Sequence, residues 1–298
     1  NSKKKGMSLI AKQRAAGWIF LLPATLMIAI MSFYPMIRAF IISLQTGAGA
    51  NMRFAEPIFS NYQRIMADKV FQQSIVNTSV SDHSGTIMLV LAILLAQLLN
   101  NKDLKFRRIF PYMRIPSMCN IPGFLFPDSS VPLFGTDGLI NSILIKLGIL
   151  STGYNFLGNS TSAKIVIIIA LIWRWTGYNM VFYLAGLQNI EYSVYEAAKI
   201  DGANGWKTFW KIYSSASETD NYHDIYYVDQ CTLQLFDESV NLTKGGPANS
   251  TITMSHYVYN NVLSTYRIFG YASAMSFLIF IMVAVLAFIN LKVGDTRD

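Results

Sequence analysis

Long stretches of apolar residues dominate this sequence, and two of them are free of charged side chains over about one membrane thickness. Every residue between Arg14 and Arg38 is uncharged, and residues 268–291 form a second uncharged run. A helix needs about 20 such residues to cross the hydrocarbon core of a bilayer. Two further apolar runs, near residues 76–99 and 163–187, are also long enough. The pattern predicts at least four membrane-spanning helices.

Basic residues cluster at the ends of these runs and predict their orientation. By the positive-inside rule, segments rich in Lys and Arg face the cytoplasm. Such segments are residues 1–14, 102–108, 199–211 and 292–297. Residues 128–162 contain only one basic residue, Lys146, and are expected outside. The alternation of sides then requires two more crossings, at residues 109–127 and 213–236.

The sequence therefore predicts an all-α membrane protein with six transmembrane helices and both termini in the cytoplasm. We expect a single transmembrane domain over residues 1–298. Its predicted spans are residues 15–37, 76–99, 109–127, 163–187, 213–236 and 268–291. Helices are expected because lipid offers no hydrogen-bond partner for irregular backbone. A secretory signal peptide is a poorer explanation of the first run, since its apolar core would be shorter and followed by a cleavage site of small residues.

Composition agrees with a membrane protein and argues against several other classes. The chain is 52% hydrophobic and 14% charged, whereas soluble domains have about 25% charged residues. The net charge of +7 is explained by topology and contact with anionic lipid rather than by nucleic acid. Cys119, Cys231 and the histidines His83, His223 and His256 are isolated, so neither a disulfide framework nor a metal site is expected.

The predicted fifth span has an unusual composition. Residues 213–230 include four acidic side chains, Glu218, Asp220, Asp224 and Asp229. At about 2.5–3.5 kcal/mol per central charge, inserting them would cost on the order of 10 kcal/mol. Either these acids line a water-filled cavity, or a reading-frame error disrupts the sequence here. Residues 81–85 and 112–131 show similar disruption.

The cytoplasmic segment after the fourth span has the pattern of a helix, a turn and a second helix. Gly202 is suited to end the first helix because glycine tolerates positive φ. Trp206 and Phe209 follow at helical spacing. Exposed aromatic residues of this kind need a cover. That cover is either a partner protein or the lipid headgroups, on which such a helix would lie with its lysines snorkelling.

This segment resembles the EAA loop of ABC importer permeases. The resemblance rests on Tyr195-Glu-Ala-Ala-Lys-Ile-Asp-Gly-Ala203 and the two aromatic residues that follow it. In that family the loop, here residues 191–212, is a coupling helix that docks in a groove on the ATP-hydrolysing subunit. The residues that match the motif and are implied to couple to the ATPase are Glu196, Ala197, Ala198, Asp201, Gly202, Trp206 and Phe209. Residues 175–190 and 235–251 also resemble the sugar-importing, maltose-type branch.

The resemblance implies the type I ABC importer permease fold, with a cytoplasmic coupling helix and half of a translocation path for an oligosaccharide. It implies a second permease subunit in a heterodimer, two ATP-binding cassette subunits and an external solute-binding protein. ATP and Mg²⁺ would bind to those partner subunits, and this chain would be neither an enzyme nor a cofactor protein. The expected location is the inner membrane of a bacterium.

A substrate path is predicted on the fourth and fifth spans. The candidate residues are Arg174, Trp175, Tyr178, Asn179, Phe182, Gln234 and Asp237. Those from the fourth span at positions 175–182 share one helical face, because they are spaced by three and four residues. Sugar sites combine aromatic faces with hydrogen-bonding groups. Ordinary packing against neighbouring helices is the alternative.

Arg174 is a separate candidate because it is ionisable and lies deep in its span. It is about 11 residues from the span's start, or roughly 16 Å at the helical rise. An ionisable group at that depth is a functional candidate. Arg174 either holds an acidic sugar, as in the alginate importers of this family, or pairs with a carboxylate on another helix such as Asp237.

Two other classes of function account for the sequence less well. Residues 153–160 nearly spell a phosphate-binding loop, but Asn159 replaces the required lysine, so nucleotide hydrolysis by this chain is not expected. A secondary transporter would predict inverted repeats and would leave the coupling motif unexplained. An ABC permease for a solute other than sugar stays open.

Overall fold

The computed structural model describes residues 9–47, 51–82, 84–100, 131–203, 234–263 and 268–294. Most of these residues are helical. The predicted crossing at residues 109–127 lies outside the described residues, as does nearly all of the crossing at residues 213–236. Trp206 and Phe209 lie outside them as well.

Helices and one short strand pair make up the described fold. In chain order, the helices are α1 (Leu9–Ile28), α2 (Tyr34–Ser43), α3 (Ser60–Ala67), α4 (Lys69–Asp82), α5 (Ser84–Asn100), α6 (Val131–Phe134), α7 (Leu139–Lys146), α8 (Ser160–Asn189), α9 (Tyr192–Ile200), α10 (Met254–Leu263) and α11 (Phe269–Gly294). Two π-helical turns occur, at Ala29–Phe33 between α1 and α2 and at Ser239–Thr243. Strands β1 (Gln45–Thr46) and β2 (Arg53–Phe54) pair antiparallel, a feature that the all-α prediction did not include.

Within the described part of the chain, four helical stretches are long and apolar enough to cross a membrane. They are Ala16–Ser43, Lys69–Asn100, Ser160–Gln188 and Phe269–Ile289. Each overlaps one of the spans predicted from the apolar runs, and the first two extend well beyond the predicted bounds. The orientation of these helices, and the two remaining crossings, stay predictions.

The polar residues near the junction of α4 and α5 are compatible with helix on both sides of it. Ser81 Oγ donates a hydrogen bond to Asn77 O at 3.1 Å, and Ser84 Oγ donates to Ser81 O at 2.5 Å. Serine hydroxyls in helices commonly bond to the preceding turn in this way. Both hydroxyls are therefore satisfied, although both residues are buried.

The chain divides into two units. The first comprises residues 1–65 and 261–278, and the second comprises residues 66–260 and 279–298. The first unit contains α1, α2 and the strand pair. The second contains α4, α5, α8 and α9. Most of the path candidates lie on α8, and the EAA-like motif begins on α9.

Side-chain amide and hydroxyl groups fix the end of α2 in the first unit. Asn61 is buried, and its Nδ2 donates to Ser43 O at 2.8 Å and to Gln45 O at 2.9 Å. Ser43 Oγ lies 2.8 Å from Tyr62 Oη. A Cβ atom added at Gly270 would lie 1.8 Å from Gln45 O. Only glycine permits this close approach of backbone to backbone.

The pairing of α5 with α8 forms the core of the second unit. The buried residues of this core are Met88, Leu89, Ala92, Ala96 and Leu99 on α5, with Met180, Tyr183, Leu184 and Leu187 on α8. Ala92 and Ala96 are completely buried. They lie one turn apart, and small residues at such spacing let membrane helices approach closely.

Enlarging Ala96 is expected to weaken this helix pair. Ala96→Leu should destabilise the chain by about 1–3 kcal/mol, because the added atoms have no space between α5 and α8. The measurement is the thermal unfolding midpoint of the purified transporter. Val90→Leu is the matched control, since Val90 is exposed on the same helix. Equal midpoints for the two variants would contradict the close packing.

Candidate transport and coupling site

Helix α8 positions both parts of the candidate site. Its N-cap residue, Asn159, accepts a hydrogen bond from Thr161 N at 2.9 Å through its side chain. The helix has 30 residues, and Arg174 is the fifteenth of them. At 1.5 Å per residue, Arg174 lies about 21 Å from the start of the helix. The path candidates are therefore at mid-helix, and the coupling motif follows the end of the helix.

Arg174 contacts two carboxylates from a distant part of the chain. Its Nη1 donates to Glu238 Oε1 at 2.8 Å, and its Nη2 lies 3.3 Å from Asp237 Oδ2. The exposed fraction of the side chain is 26% for Arg174, 6% for Glu238 and 54% for Asp237. The carboxylate pairing, one of the two alternatives that the sequence left open for Arg174, is thus present. Glu238 is the closer and the more deeply buried partner.

From the sequence, Glu238 was expected only to face the same cavity as Gln234 and Asp237 or to lie at its outer mouth, and it was neither among the path candidates nor named as a partner of Arg174. Glu238 directly follows Asp237, so any element that brings one carboxylate to an arginine brings the other near it. A buried carboxylate needs a charged or hydrogen-bonding partner. Among the described residues, no group of three or more His, Cys, Asp or Glu side chains is arranged to hold a metal ion. Both carboxylates contact the arginine.

An aromatic row runs along α8 from Arg174 toward the coupling motif. The ring centroids of Trp175 and Tyr178 are 5.7 Å apart, and those of Tyr178 and Phe182 are 5.0 Å apart. The Arg174 guanidinium lies 5.5 Å from the Trp175 ring centroid, which is within cation–π range. Phe182 is exposed, while Trp175 and Tyr178 are half-buried. The three rings form an apolar surface that is most exposed at Phe182. Its other end lies next to the charged Arg174 group.

The two remaining path candidates differ in their surroundings. Asn179 is buried, and its Nδ2 donates to Trp175 O at 2.9 Å, so this amide group bonds within its own helix. Gln234 is exposed. Their roles in a substrate path stay predictions.

The segment that carries the two carboxylates is held by buried hydroxyl groups. Ser239 Oγ donates to Thr251 O at 2.8 Å and lies 2.8 Å from His256 Nδ1. Thr253 Oγ1 donates to Leu235 O at 2.6 Å. Burial lowers the pKa of His256, which favours the neutral imidazole at pH 7. These bonds fix the backbone on both sides of the carboxylate pair.

Helix α9 ends as the sequence predicted. Asp201 N donates to Ala197 O at 3.0 Å, and Ala203 N donates to Ala198 O at 3.0 Å. Gly202 lies between them with a φ of 73°. The bond spanning five residues, together with a glycine in the left-handed region, is the Schellman arrangement. Gly202 therefore terminates α9 through its backbone conformation.

The described surface of α9 is largely exposed. Glu196 and Ala197 are exposed, and Ala198 is half-buried. Ile200 has 87% of its surface exposed. Val194 on the same helix is 44% exposed, so α9 leaves two apolar side chains open to contact. The remaining motif residues, Trp206 and Phe209, lie outside the described residues.

Comparison with known proteins identifies a family and full-length relatives. Residues 87–214 match the family described as "Binding-protein-dependent transport system inner membrane component". The chain is 39% identical over 285 residues to the lactose transport system permease protein LacF of Rhizobium radiobacter, covering 94% of both chains. It is 31% identical over 295 residues to the arabinooligosaccharides transport system permease protein AraP of Bacillus subtilis, covering 97% of this chain and 91% of that protein.

A solved structure has the same fold. It is the crystal structure of a bacterial alginate ABC transporter in complex with an alginate pentasaccharide-bound periplasmic protein. One of its chains superposes with a TM-score of 0.79 at 19% identity, covering 95% of each chain. The fold is therefore that of an ABC importer permease. Since two relatives are more than 30% identical to it over at least 94% of its length, the chain belongs to the family of binding-protein-dependent transport system inner membrane components.

Proposed function

We propose that this chain is a permease subunit of an ATP-driven importer and forms half of the translocation path for an oligosaccharide. Its similarity to a lactose permease over 94% of both chains carries the proposal. The other half of the path would come from a second permease subunit in a heterodimer. Two ATP-binding cassette subunits and an external solute-binding protein complete the assembly. The chain would lie in a bacterial inner membrane with both termini in the cytoplasm.

Helix α9 is proposed to dock on one ATP-binding subunit. Two observations support this role: the exposure of Ile200 and the Gly202 terminus that sets the length of the helix. Docking would cover the apolar side chain, and burying it is favourable by about 1.5–3 kcal/mol. Glu196 is exposed and is proposed to pair with a basic group of that subunit.

The cargo is proposed to be a neutral sugar. An acidic sugar would need a cation whose charge is not already met by the protein, but Glu238 and Asp237 both contact Arg174. Two carboxylates facing one guanidinium disfavour a further carboxylate through like-charge repulsion. The same groups suit sugar hydroxyls, because the exposed Asp237 can accept hydrogen bonds. The Trp175–Tyr178–Phe182 row offers apolar surface for the faces of sugar rings.

Uptake by proteoliposomes that contain the assembled transporter tests this proposal. With the solute-binding protein outside and ATP inside, we expect uptake of neutral oligosaccharides, and at least tenfold less uptake of uronic-acid oligomers of the same length. Omitting ATP should abolish uptake, whereas an ionophore should leave it unchanged. Uptake driven by an ion gradient without ATP would indicate a secondary transporter. Preferential uptake of uronic-acid oligomers would contradict the proposal of a neutral cargo but not the proposed permease function.

A further inference from the structure

Helix α7 leaves an apolar stripe open on the side of the chain that is predicted to be external. The stripe consists of Leu139 and Ile143 on the helix and Leu147 at its C-cap, which lie on one face because they recur every four residues. Their exposed fractions are 56%, 47% and 67%, and Ile149, just after the helix, is 65% exposed. A run of open apolar side chains over two turns is a candidate surface for contact with a protein or a membrane.

The opposite side of α7 is fixed by a buried amide. Asn141 is 1% exposed, and its Nδ2 donates to Gly135 O at 2.7 Å and to Tyr154 O at 2.8 Å. Its Oδ1 accepts a hydrogen bond from Tyr154 N at 2.9 Å. These bonds join the helix to the turn before it and to the segment after it. Rotating α7 to cover the stripe would break all three of them.

The segment after α7 holds this helix beside the start of a membrane span. The ring centroids of Tyr154 and Phe156 are 5.0 Å apart. Ser162 Oγ donates to Phe156 O at 2.6 Å. Ser162 is the third residue of the candidate span Ser160–Gln188, so it lies where the headgroups meet the hydrocarbon core. A short chain of contacts therefore links α7 to the membrane end of α8.

The charge of α7 favours a lipid surface over a protein partner. The helix contains no acidic residue, and its one charged side chain, Lys146, is exposed. Lys146 follows Ile143 by three residues, so it borders the apolar stripe. Lysines in this position extend their methylene groups along the apolar surface and place the ammonium group among lipid headgroups. In the core of a protein interface, by contrast, lysine is depleted.

We propose that the apolar stripe of α7 lies in the outer leaflet of the membrane, with the helix axis along the membrane surface. Leu139, Ile143 and Leu147 contact the phospholipid acyl chains close to the headgroups, and Lys146 reaches the lipid phosphates. Helix α7 is thus an interfacial helix. It attaches the external segment between the predicted third and fourth spans to the bilayer, next to the start of α8.

Spin labels on the assembled transporter in phospholipid nanodiscs test this contact. Ile143→Cys and Ile145→Cys are a matched pair, because both side chains are similarly exposed, 47% and 42%, but lie about 200° apart around the helix axis. The native residues Cys119 and Cys231 are replaced by serine in both variants, and size-exclusion chromatography checks their assembly. The label at residue 143 should collide more often with oxygen, which partitions into lipid, than with a water-soluble nickel chelate. The label at residue 145 should show the reverse, with a severalfold difference between the two oxygen-to-nickel ratios.

Three results would overturn the proposal. Equal oxygen-to-nickel ratios at residues 143 and 145 would show that the stripe does not face lipid. Protection of residue 143 from the nickel chelate only after the solute-binding protein is added would assign the stripe to that protein. Low accessibility of residue 143 to both reagents would place it against the second permease subunit. None of these measurements involves sugar uptake, so this proposal can fail while the proposed function stands.

Discussion

Gly202→Val is expected to reduce sugar uptake per ATP hydrolysed about tenfold while the membrane helices stay folded. Gly202 has a φ of 73°, and a Cβ added there would meet no atom within 4 Å. The strain would therefore come from the backbone alone, at about 1–2 kcal/mol for an ordinary residue and more for a β-branched one. Unwinding the end of α9 relieves that strain but moves the docking surface. A free-energy cost of 1.4 kcal/mol changes an equilibrium constant tenfold. Because the backbone strain is of about this size, we expect the ratio of uptake to ATP hydrolysis to fall about tenfold.

Two other glycines provide matched controls for this substitution. Gly148 also has a positive φ, 71°, with open space at its Cβ, but it follows α7 and not the coupling helix. Gly186 is exposed with open space inside α8 and lacks a positive φ. Valine at Gly148 should strain the backbone but leave sugar uptake coupled to ATP hydrolysis. Valine at Gly186 should neither strain the backbone nor change the coupling. The measurement is the ratio of sugar uptake to phosphate release in proteoliposomes, and an unchanged ratio in Gly202→Val would refute docking through α9.

Arg174→Gln is expected to lower the yield of assembled transporter severalfold. The substitution leaves Glu238 buried without its guanidinium partner at 2.8 Å. Breaking a fully buried pair costs about 3–5 kcal/mol, and the partial exposure of Arg174 reduces this to roughly 2–3 kcal/mol. The measurement is the amount of intact complex recovered by size-exclusion chromatography, normalised to the chain in the membrane.

Variants of the two carboxylates show whether Arg174 serves a structural ion pair or binds the cargo. Arg174→Gln combined with Glu238→Gln should recover much of the yield, because no unpaired charge stays buried. Asp237→Asn should change the yield little, since Asp237 is 54% exposed and exposed ion pairs contribute about 0–1 kcal/mol. Normal assembly of Arg174→Gln with lost uptake would instead assign the arginine to cargo.

Local sequence patterns were sufficient to predict the four long apolar helices that the structure describes. The charge-free runs at residues 15–37 and 268–291 predicted helices because a bilayer admits only backbone that bonds within its own segment. The helix bounds were less predictable. Residues 69–75 include the polar side chains of Lys69, Gln72, Gln73 and Ser74, yet they extend α4 beyond the predicted span. Polar residues at the end of a span can stay helical at little cost in free energy. Hydropathy therefore does not show where the helix begins.

Contacts between residues that are distant in the sequence were harder to predict than helices. Asp237 was named as a partner for Arg174, but Glu238 was not included among the site residues. The two carboxylates are adjacent in sequence, and their burial differs greatly. Hydropathy and helical spacing say nothing about which of two neighbouring side chains faces a helix that is distant in the chain.

The sequence by itself determined the apolar helices and the end of α9 at Gly202. Both are set locally: the first by runs of apolar residues, the second by the one residue type that tolerates positive φ without strain. Only the tertiary structure decided that Arg174 meets carboxylates 63 and 64 residues away and that Asn77 bonds to the Ile252 carbonyl, 175 residues away. Such meetings depend on how distant helices pack, and packing is a property of the whole assembled core and not of any single segment.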